Sequence, residues 1–147
     1  MKWLENLVVK LANRVDGQLD DLTNTKAFKS ASDAYSLKDF KAALAGYEAL
    51  AEKNHGRAAA LAGEMHLFGK GTKISGTKAQ KYFEISANAG DLHATALLGM
   101  LLAAGMAGVK VDLIRARPLL EAAAASGDAK ALEMLEMVKS KQKGKRL

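Results

Sequence analysis

Apolar residues recur at helical spacing from the start of the chain. In the first fifteen residues they recur every three or four positions, singly or as adjacent pairs, and charged or amide residues occupy the other side. The apolar set is Trp3, Leu4, Leu7, Val8, Leu11 and Val15. This period predicts an amphipathic helix. Asp16 and Gly17 follow, and we expect them to end the helix or to start a looser turn, with a polar linker up to residue 24.

The same periodicity predicts seven further helices after the linker. They cover about residues 25–36, 40–53, 57–68, 77–89, 92–104, 113–125 and 129–141. Residues that favour helix ends separate them: Asp39 is a candidate cap, residues 77–80 form a capping-box pattern, and Gly69 suits a left-handed helix end. No segment has the alternation of a strand. The pattern therefore predicts an all-α protein of about eight helices.

A block of residues recurs at a fixed interval along these helices. Seven positions reappear 36 residues later, and six reappear 37 residues after that. The first series is Ala43, Tyr47, Ala51, Ala58, Leu61, Gly63 and Gly69, which return as Ala79, Phe83, Ala87, Ala94, Leu97, Gly99 and Gly105. The second is Ala79, Phe83, Ala87, Gly90, Asp91 and Ala94, which return as Ala116, Leu120, Ala124, Gly127, Asp128 and Ala131. A period of this length marks stacked helix pairs. We expect an α-solenoid of antiparallel helix pairs.

The repeats divide the chain into three parts. Residues 25–141 form the repeat array, and residues 142–147 a basic tail. Residues 1–24 hold the amphipathic helix and linker, and we expect that helix to cover the exposed end of the stack, as terminal elements of solenoids do. It could instead lie on a membrane or dock to a partner.

Charge and composition narrow the function. The net charge is +6, but five basic residues lie in the last nine positions with no acid, which leaves +1 for the rest. Without interleaved aromatic residues this tail specifies no nucleic acid, so we expect none to bind, and at most weak membrane contact by the tail or the first helix. The chain has no cysteine, which excludes disulfides and thiolate metal sites. The apolar run before Lys10 is too short for a signal peptide. Residues 92–109 carry no charge but keep the repeat register, which indicates a packed helix and not a membrane span. Since neither a signal peptide nor a membrane span is predicted, we expect a cytoplasmic protein.

Few residues suggest chemistry. Ser75 and Lys78 have the spacing of an acylating serine and its lysine base, but the other motifs of that chemistry are missing. His55, His66 and His93 never lie three or four positions apart, so no helical metal pair exists. We expect structural or surface roles for all of them, and neither enzymatic activity nor a cofactor.

The later copies carry the pattern of a known repeat. Their residues are Ala94, Leu97, Leu98, Gly99, Leu102, Gly105, Gly108, Val109, Asp112 and Ala116, followed by Ala123, Ala124 and Gly127. This pattern resembles the Sel1-like repeat, a tetratricopeptide-like helical repeat. The copy at residues 58–90 departs from it, with His66 at the large-residue position and Ser75 where an acid is usual. Residues 34–47 resemble a tetratricopeptide unit.

The resemblance implies a role and a binding surface. It implies a non-enzymatic adaptor that binds a protein or peptide; the alternative is a bacterial immunity protein that neutralises one toxin. In such stacks the first helix of each pair lines the concave face. That face would hold Lys26, Lys29, Asp33, Arg57, Glu64, Leu67, Phe68, His93, Met100, Ala103, Lys130, Glu133 and Met137. Met100, Met106, Met134 and Met137 could form an adaptable surface, with core packing as the other use. The convex side would carry the charges of Lys41, Glu48 and Glu52.

Overall fold

The computed structural model describes residues 2–144, and the side chains of all of these except positions 16–21 and 23. This part of the chain forms seven helices and contains no strand. They are α1 (Lys2–Ser36), α2 (Phe40–Ala51), α3 (Gly56–Phe68), α4 (Gly76–Asn88), α5 (Leu92–Ala104), α6 (Leu113–Ala125) and α7 (Ala129–Gly144).

The helices stack in pairs along the chain. The C-terminal half of α1 packs on α2, α3 packs on α4, and α5 packs on α6, while α7 lies against α5 and α6. Each pair also contacts the next, through α2 with α3 and α4 with α5. The α-solenoid of stacked helix pairs is therefore as predicted.

Recurrent caps determine where the helices begin and end. The side chains of Asp39, Asp91 and Asp112 each accept the backbone N–H three residues ahead, which satisfies a free donor of the first turn. Gly69 and Gly105 close α3 and α5 in the left-handed conformation, with φ of 68° and 66°.

The predicted capping box at Thr77 is wrong. The Ser75 hydroxyl accepts the N–H of Lys78 at 3.3 Å, and α4 begins at Gly76. Ser75 is therefore the N-cap, because its side chain reaches a first-turn donor that no backbone carbonyl satisfies.

Two glycines let the paired helices approach closely. A Cβ on Gly63 would lie 2.6 Å from the ring of Phe83, and one on Gly99 would lie 2.9 Å from Leu120. The two glycines occupy equivalent repeat positions, and both partner side chains are fully buried. We infer that the repeat has glycine at this position because the large residue on the facing helix fills the space that any other side chain would need.

The first helix differs from the prediction. α1 continues through Gly17 and the predicted linker as one helix of 35 residues. A glycine inside a helix costs only about 1 kcal/mol relative to alanine, which a long helix tolerates. Asp16, Gly17, Asp20, Asp21 and Thr23 lie in this stretch, and their side chains are outside the described set.

The apolar residues of that first segment do not cover the stack. Each side chain from residue 2 to residue 15 is exposed, and Trp3 and Val8 are 67% and 62% exposed. The predicted burial of Trp3, Leu4, Leu7, Val8 and Leu11 against the next helices is therefore wrong. The segment extends along the α1 axis away from α2 instead of folding back onto it. We call residues 2–22 the N-terminal arm.

The other end of the chain is also more helical than predicted. α7 continues to Gly144, three residues beyond the predicted limit, and includes Lys141 and Lys143 in its last turn. Cations at a helix C-terminus are favoured by the helix dipole. Lys145 and Arg146 lie outside the described residues. Within residues 2–144, no helix combines the length and the apolar content needed to span a bilayer.

Candidate partner-binding face

Four helices form one face of the stack. The C-terminal half of α1, α3, α5 and α7 lie side by side: Phe28 stacks on His55 with centroids 5.2 Å apart, and Glu64 reaches His93 at 3.4 Å. We call this the first-helix face, because it contains the first helix of each pair. The opposite, second-helix face is formed by α2, α4 and α6.

A cleft lined by methionines lies at the α5–α7 end of the first-helix face. Its volume is about 280 Å³, and its lining residues are Met100, Lys130, Glu133, Met134 and Met137. Four of these are among the residues predicted for partner binding. Met134 is added to them, whereas Met106 lies apart in the loop after α5. The cleft has an apolar floor and one charge of each sign at its rim.

A smaller pocket lies at the α1–α3 end of the face. Its lining residues are Tyr35, Leu61, Glu64, Met65, Phe68 and Lys70, around about 30 Å³. The Lys70 ammonium donates to the Tyr35 hydroxyl at 2.5 Å and lies 5.1 Å from its ring centre. Phe68 is 63% exposed although it is aromatic. Leu67, its predicted neighbour in the site, is half-buried against the core.

The remaining predicted residues are dispersed along the face. Lys29 and Asp33 form an exposed pair at 2.9 Å, and Lys26 is exposed on the turn before them. The Arg57 guanidinium lies over the Phe28 ring, 5.5 Å from its centre. One prediction is wrong: Ala103 is buried in the core, because α5 is apolar on nearly all sides and packs against α6.

Solved structures share this arrangement. A Sel1 repeat protein from Oxalobacter formigenes is 25% identical over 85% of this chain and 96% of its own, with a TM-score of 0.67. The chain therefore has the fold of Sel1-like repeat proteins. The uropathogenic Escherichia coli protein c5321, a protective antigen with an SLR fold, is 22% identical over 80% of this chain, with a TM-score of 0.70. This chain spans only 26% of that protein.

The other comparisons add one structure and two negative results. The Helicobacter pylori cysteine rich protein B is 21% identical over 77% of this chain and 95% of its own, with a TM-score of 0.57. No family model and no curated protein matches the sequence. This chain has no cysteine, so no disulfide contributes to the stability of its stack.

A polar network lies between the repeats on the second-helix face. The His66 imidazole is buried, donates its Nε2 hydrogen to Glu48 at 2.6 Å, and stacks on the Tyr82 ring. The Lys81 ammonium donates to Glu52 at 2.7 Å. Glu48 and Glu52 were predicted as convex charge, but they link α2 to α3 and α4. The sequence signal was His66 itself, a polar residue at a large-residue position of the Sel1-like pattern.

The network shifts two pKa values upward. Burial raises the pKa of the Tyr82 phenol above 10.0, and the nearby Glu48 carboxylate adds to this effect. The hydrogen bond to Glu52 raises the pKa of Lys81 above 10.5, and the charge interaction with Tyr82 adds to it. Tyr82 therefore remains neutral and Lys81 charged at every pH near neutrality.

The residues considered for chemistry have structural partners. Ser75 caps α4, and the Nδ1 atom of His55 accepts the N–H of Ala58 to cap α3. His66 belongs to the network, and His93 faces Glu64 at the surface. In the described part of the chain, no group of three histidine, aspartate or glutamate side chains lies close enough together to hold a metal ion. The first-helix face carries an apolar cleft and a small pocket that a partner could contact.

Proposed function

We propose that this Sel1-like repeat protein is a non-enzymatic interaction module that binds a partner protein or peptide along its first-helix face. Sel1-like repeats are protein–protein interaction modules, and this role requires only an accessible, rigid surface. The observation that carries the proposal is the methionine-lined cleft between α5 and α7.

The cleft has the properties of an anchor site. Met100, Met134 and Met137 provide a flexible, polarisable floor that adapts to different apolar side chains. Lys130 and Glu133 are exposed at its rim and can orient charged groups beside that anchor. These features favour an amphipathic helix that inserts one large apolar residue, with an acid facing Lys130 and a base facing Glu133.

Phe68 offers a second contact point on the same face. It is exposed at the end of α3, next to the small pocket, and aromatic residues in such positions typically carry much of the energy of an interface. We propose that a bound partner reaches both sites, with the Glu64–His93 pair between them. Lys29, Asp33 and Arg57 extend the face beyond Phe68.

A matched pair of methionine variants tests the proposal. Partners are isolated from the native organism by cross-linking to the wild-type chain, and their affinities for the variants are then measured. Met137 and Met106 are each 42% exposed, but only Met137 lines the cleft. Met137→Glu should weaken binding at least about 30-fold, because anchors contribute about 2 kcal/mol or more, whereas Met106→Glu should bind as wild type. Equal affinities for the two variants would contradict the proposal.

The same isolation separates an adaptor from an immunity protein. An adaptor should yield several partners of modest affinity. A single partner, bound tightly in a one-to-one complex and inhibited as a toxin by it, would favour the immunity role. Phe68→Ala provides a second check, because it should weaken either complex by about 2 kcal/mol while the fold is retained.

A further inference from the structure

We propose that the exposed apolar face of the N-terminal arm binds the arm of a second copy of this chain, forming a parallel two-stranded coiled coil. The face consists of Leu4, Val8, Leu11, Val15 and Leu22, all exposed. We call this set the seam. The proposal concerns a different surface from the first-helix face and is independent of the proposed function.

The spacing and residue types of the seam match a coiled coil. Its members are four, three, four and seven positions apart, which places them at the a and d positions of successive heptads; Gln18 occupies the d position in the last interval. Val8 and Val15 fall at a, while Leu4 and Leu11 fall at d. β-branched residues at a with leucine at d favour two parallel strands.

The rotation of α1 keeps the seam away from the stack. Leu4 and Leu22 are eighteen residues apart, five full turns, so both lie on one side of the helix. Ala31, which packs against Gly46 of α2, follows Leu22 by nine residues, or two and a half turns. The seam and the packed face therefore point in opposite directions. A second helix can lie along the seam without contacting α2.

The charge of the arm favours a protein over a lipid surface. Three basic residues, Lys2, Lys10 and Arg14, accompany four acidic ones, Glu5, Asp16, Asp20 and Asp21, so the net charge of residues 2–22 is −1. Helices that lie on membranes carry polar faces rich in lysine and arginine, because anionic lipids attract them. The arm lacks this excess, and its valines at a with leucines at d are the residue types that two-stranded pairing favours.

The seam is large enough for a dimer of moderate affinity. Fully burying an aliphatic side chain removes roughly 60–120 Å² of apolar surface from water. Ten seam residues, with Leu7 and Trp3 at the edges, would bury on the order of 1,000 Å². Specific, stable interfaces bury about 1,200 Å² or more, and smaller ones are weak and transient, so we expect a reversible dimer and test it at micromolar concentrations.

Two adjacent valines allow a matched test of the dimer. Val8 belongs to the seam, whereas Val9 lies about 100° further round the helix, and the two are 62% and 57% exposed. Sedimentation equilibrium of the whole chain from about 1 to about 300 μM should show a monomer–dimer equilibrium. Val8→Glu should weaken it at least 30-fold, and Val9→Glu should leave it unchanged. A wild-type monomer or trimer throughout, or equal behaviour of the two variants, would overturn the proposal.

Cysteine cross-linking tests the parallel orientation. The chain has no native cysteine, so single variants report unambiguously. In a parallel pair, Leu4→Cys should oxidise rapidly to a disulfide dimer and Val9→Cys should not. Rapid disulfide formation by Val9→Cys, or none by Leu4→Cys, would overturn the parallel arrangement. Wild-type binding to phosphatidylserine–phosphatidylcholine vesicles that is lost in Val8→Glu, together with a monomeric chain in solution, would assign the seam to lipid instead.

Discussion

Both halves of α1 have apolar residues at helical spacing, but only the C-terminal half buries them. In the C-terminal half, Ala27, Ala31 and Ala34 face α2, and Ala31 is only 3% exposed. In the arm, the apolar residues are larger and more numerous, yet each described one is exposed. Helical periodicity reports that a helix has an apolar side. It does not report whether another part of the same chain covers that side.

The difference follows from rotation and distance. The two apolar faces point to opposite sides of one continuous helix, and the arm extends roughly 30 Å before the packed segment begins. Only the C-terminal half has a partner within reach, because the short turn at residues 37–39 returns the chain as α2. We infer that apolar residues stabilise the fold in one half and association in the other.

The largest expected contrast is between one core and one arm aromatic residue. Phe83→Ala should lower the free energy of unfolding by about 3–5 kcal/mol, because it leaves a cavity opposite Gly63. Trp3→Ala should change it by less than about 0.5 kcal/mol, because Trp3 has no covering neighbour. Urea unfolding followed by circular dichroism at low protein concentration measures both. A large loss for Trp3→Ala would show that the arm packs on its own stack.

Overpacking should have the next largest effect. A leucine at Gly99 would collide with Leu120, so Gly99→Leu should cost about 1–3 kcal/mol or more. Gly144→Leu is the control, because an added Cβ there meets nothing within 4 Å. Thermal unfolding of both variants tests the repeat register, and a melting temperature for Gly99→Leu equal to that of wild type would show it to be wrong.

A smaller loss of stability should appear at high pH, and it should come from Tyr82 and Lys81 in the stack. The raised pKa of Tyr82 means that its stabilising contribution is complete below about pH 10 and is lost as the pH rises through the folded value. Lys81 acts in the same direction. Stability measured from pH 8 to 11 should therefore fall at the alkaline end, and less so in Tyr82→Phe. An identical alkaline loss in that variant would place the titration elsewhere.

The smallest effect should come from removing part of the arm. Deletion of residues 2–15 should change the free energy of unfolding by less than about 0.5 kcal/mol, because these side chains are exposed. The measurement is urea unfolding below the concentration at which dimers form. If the first helix instead covered the end of the stack, as the sequence predicted, its removal would expose apolar surface and cause aggregation. Aggregation of the shortened chain would restore that interpretation.

Most of the stack could be predicted because its signals are local or periodic. Asp39, Gly69 and Asp112 mark helix ends through chemistry that the sequence displays, and the recurrence of Gly63 as Gly99 marks where paired helices touch. The arm could not be predicted in this way, because Asp16 and Gly17 favour a turn locally while the helix on both sides favours continuation. For a continuous helix, the nine-residue offset between Leu22 and Ala31 would have indicated that the two apolar faces point in opposite directions.

The candidate site was only partly predictable for a similar reason. Repeat position identified Met100, Lys130, Glu133 and Met137, which now line one cleft. It could not show that Ala103 is buried, since α5 is packed on several sides. It also could not show that Glu48 bonds to His66, because that contact joins two helices whose relative rotation the sequence does not state.

Amide hydrogen exchange at two protein concentrations tests the central claim most directly. The claim is that the stack is stabilised within one chain and the arm only by a second copy. Amides of α3 and α5 should exchange slowly at about 1 μM and at about 300 μM alike. Amides of residues 2–15 should exchange rapidly at the lower concentration, since most helical stability comes from tertiary packing and this end of α1 has none within one chain. They should exchange slowly at the higher concentration, where the second copy covers the arm. Arm amides that are equally protected at both concentrations, or unprotected at both, would contradict the claim.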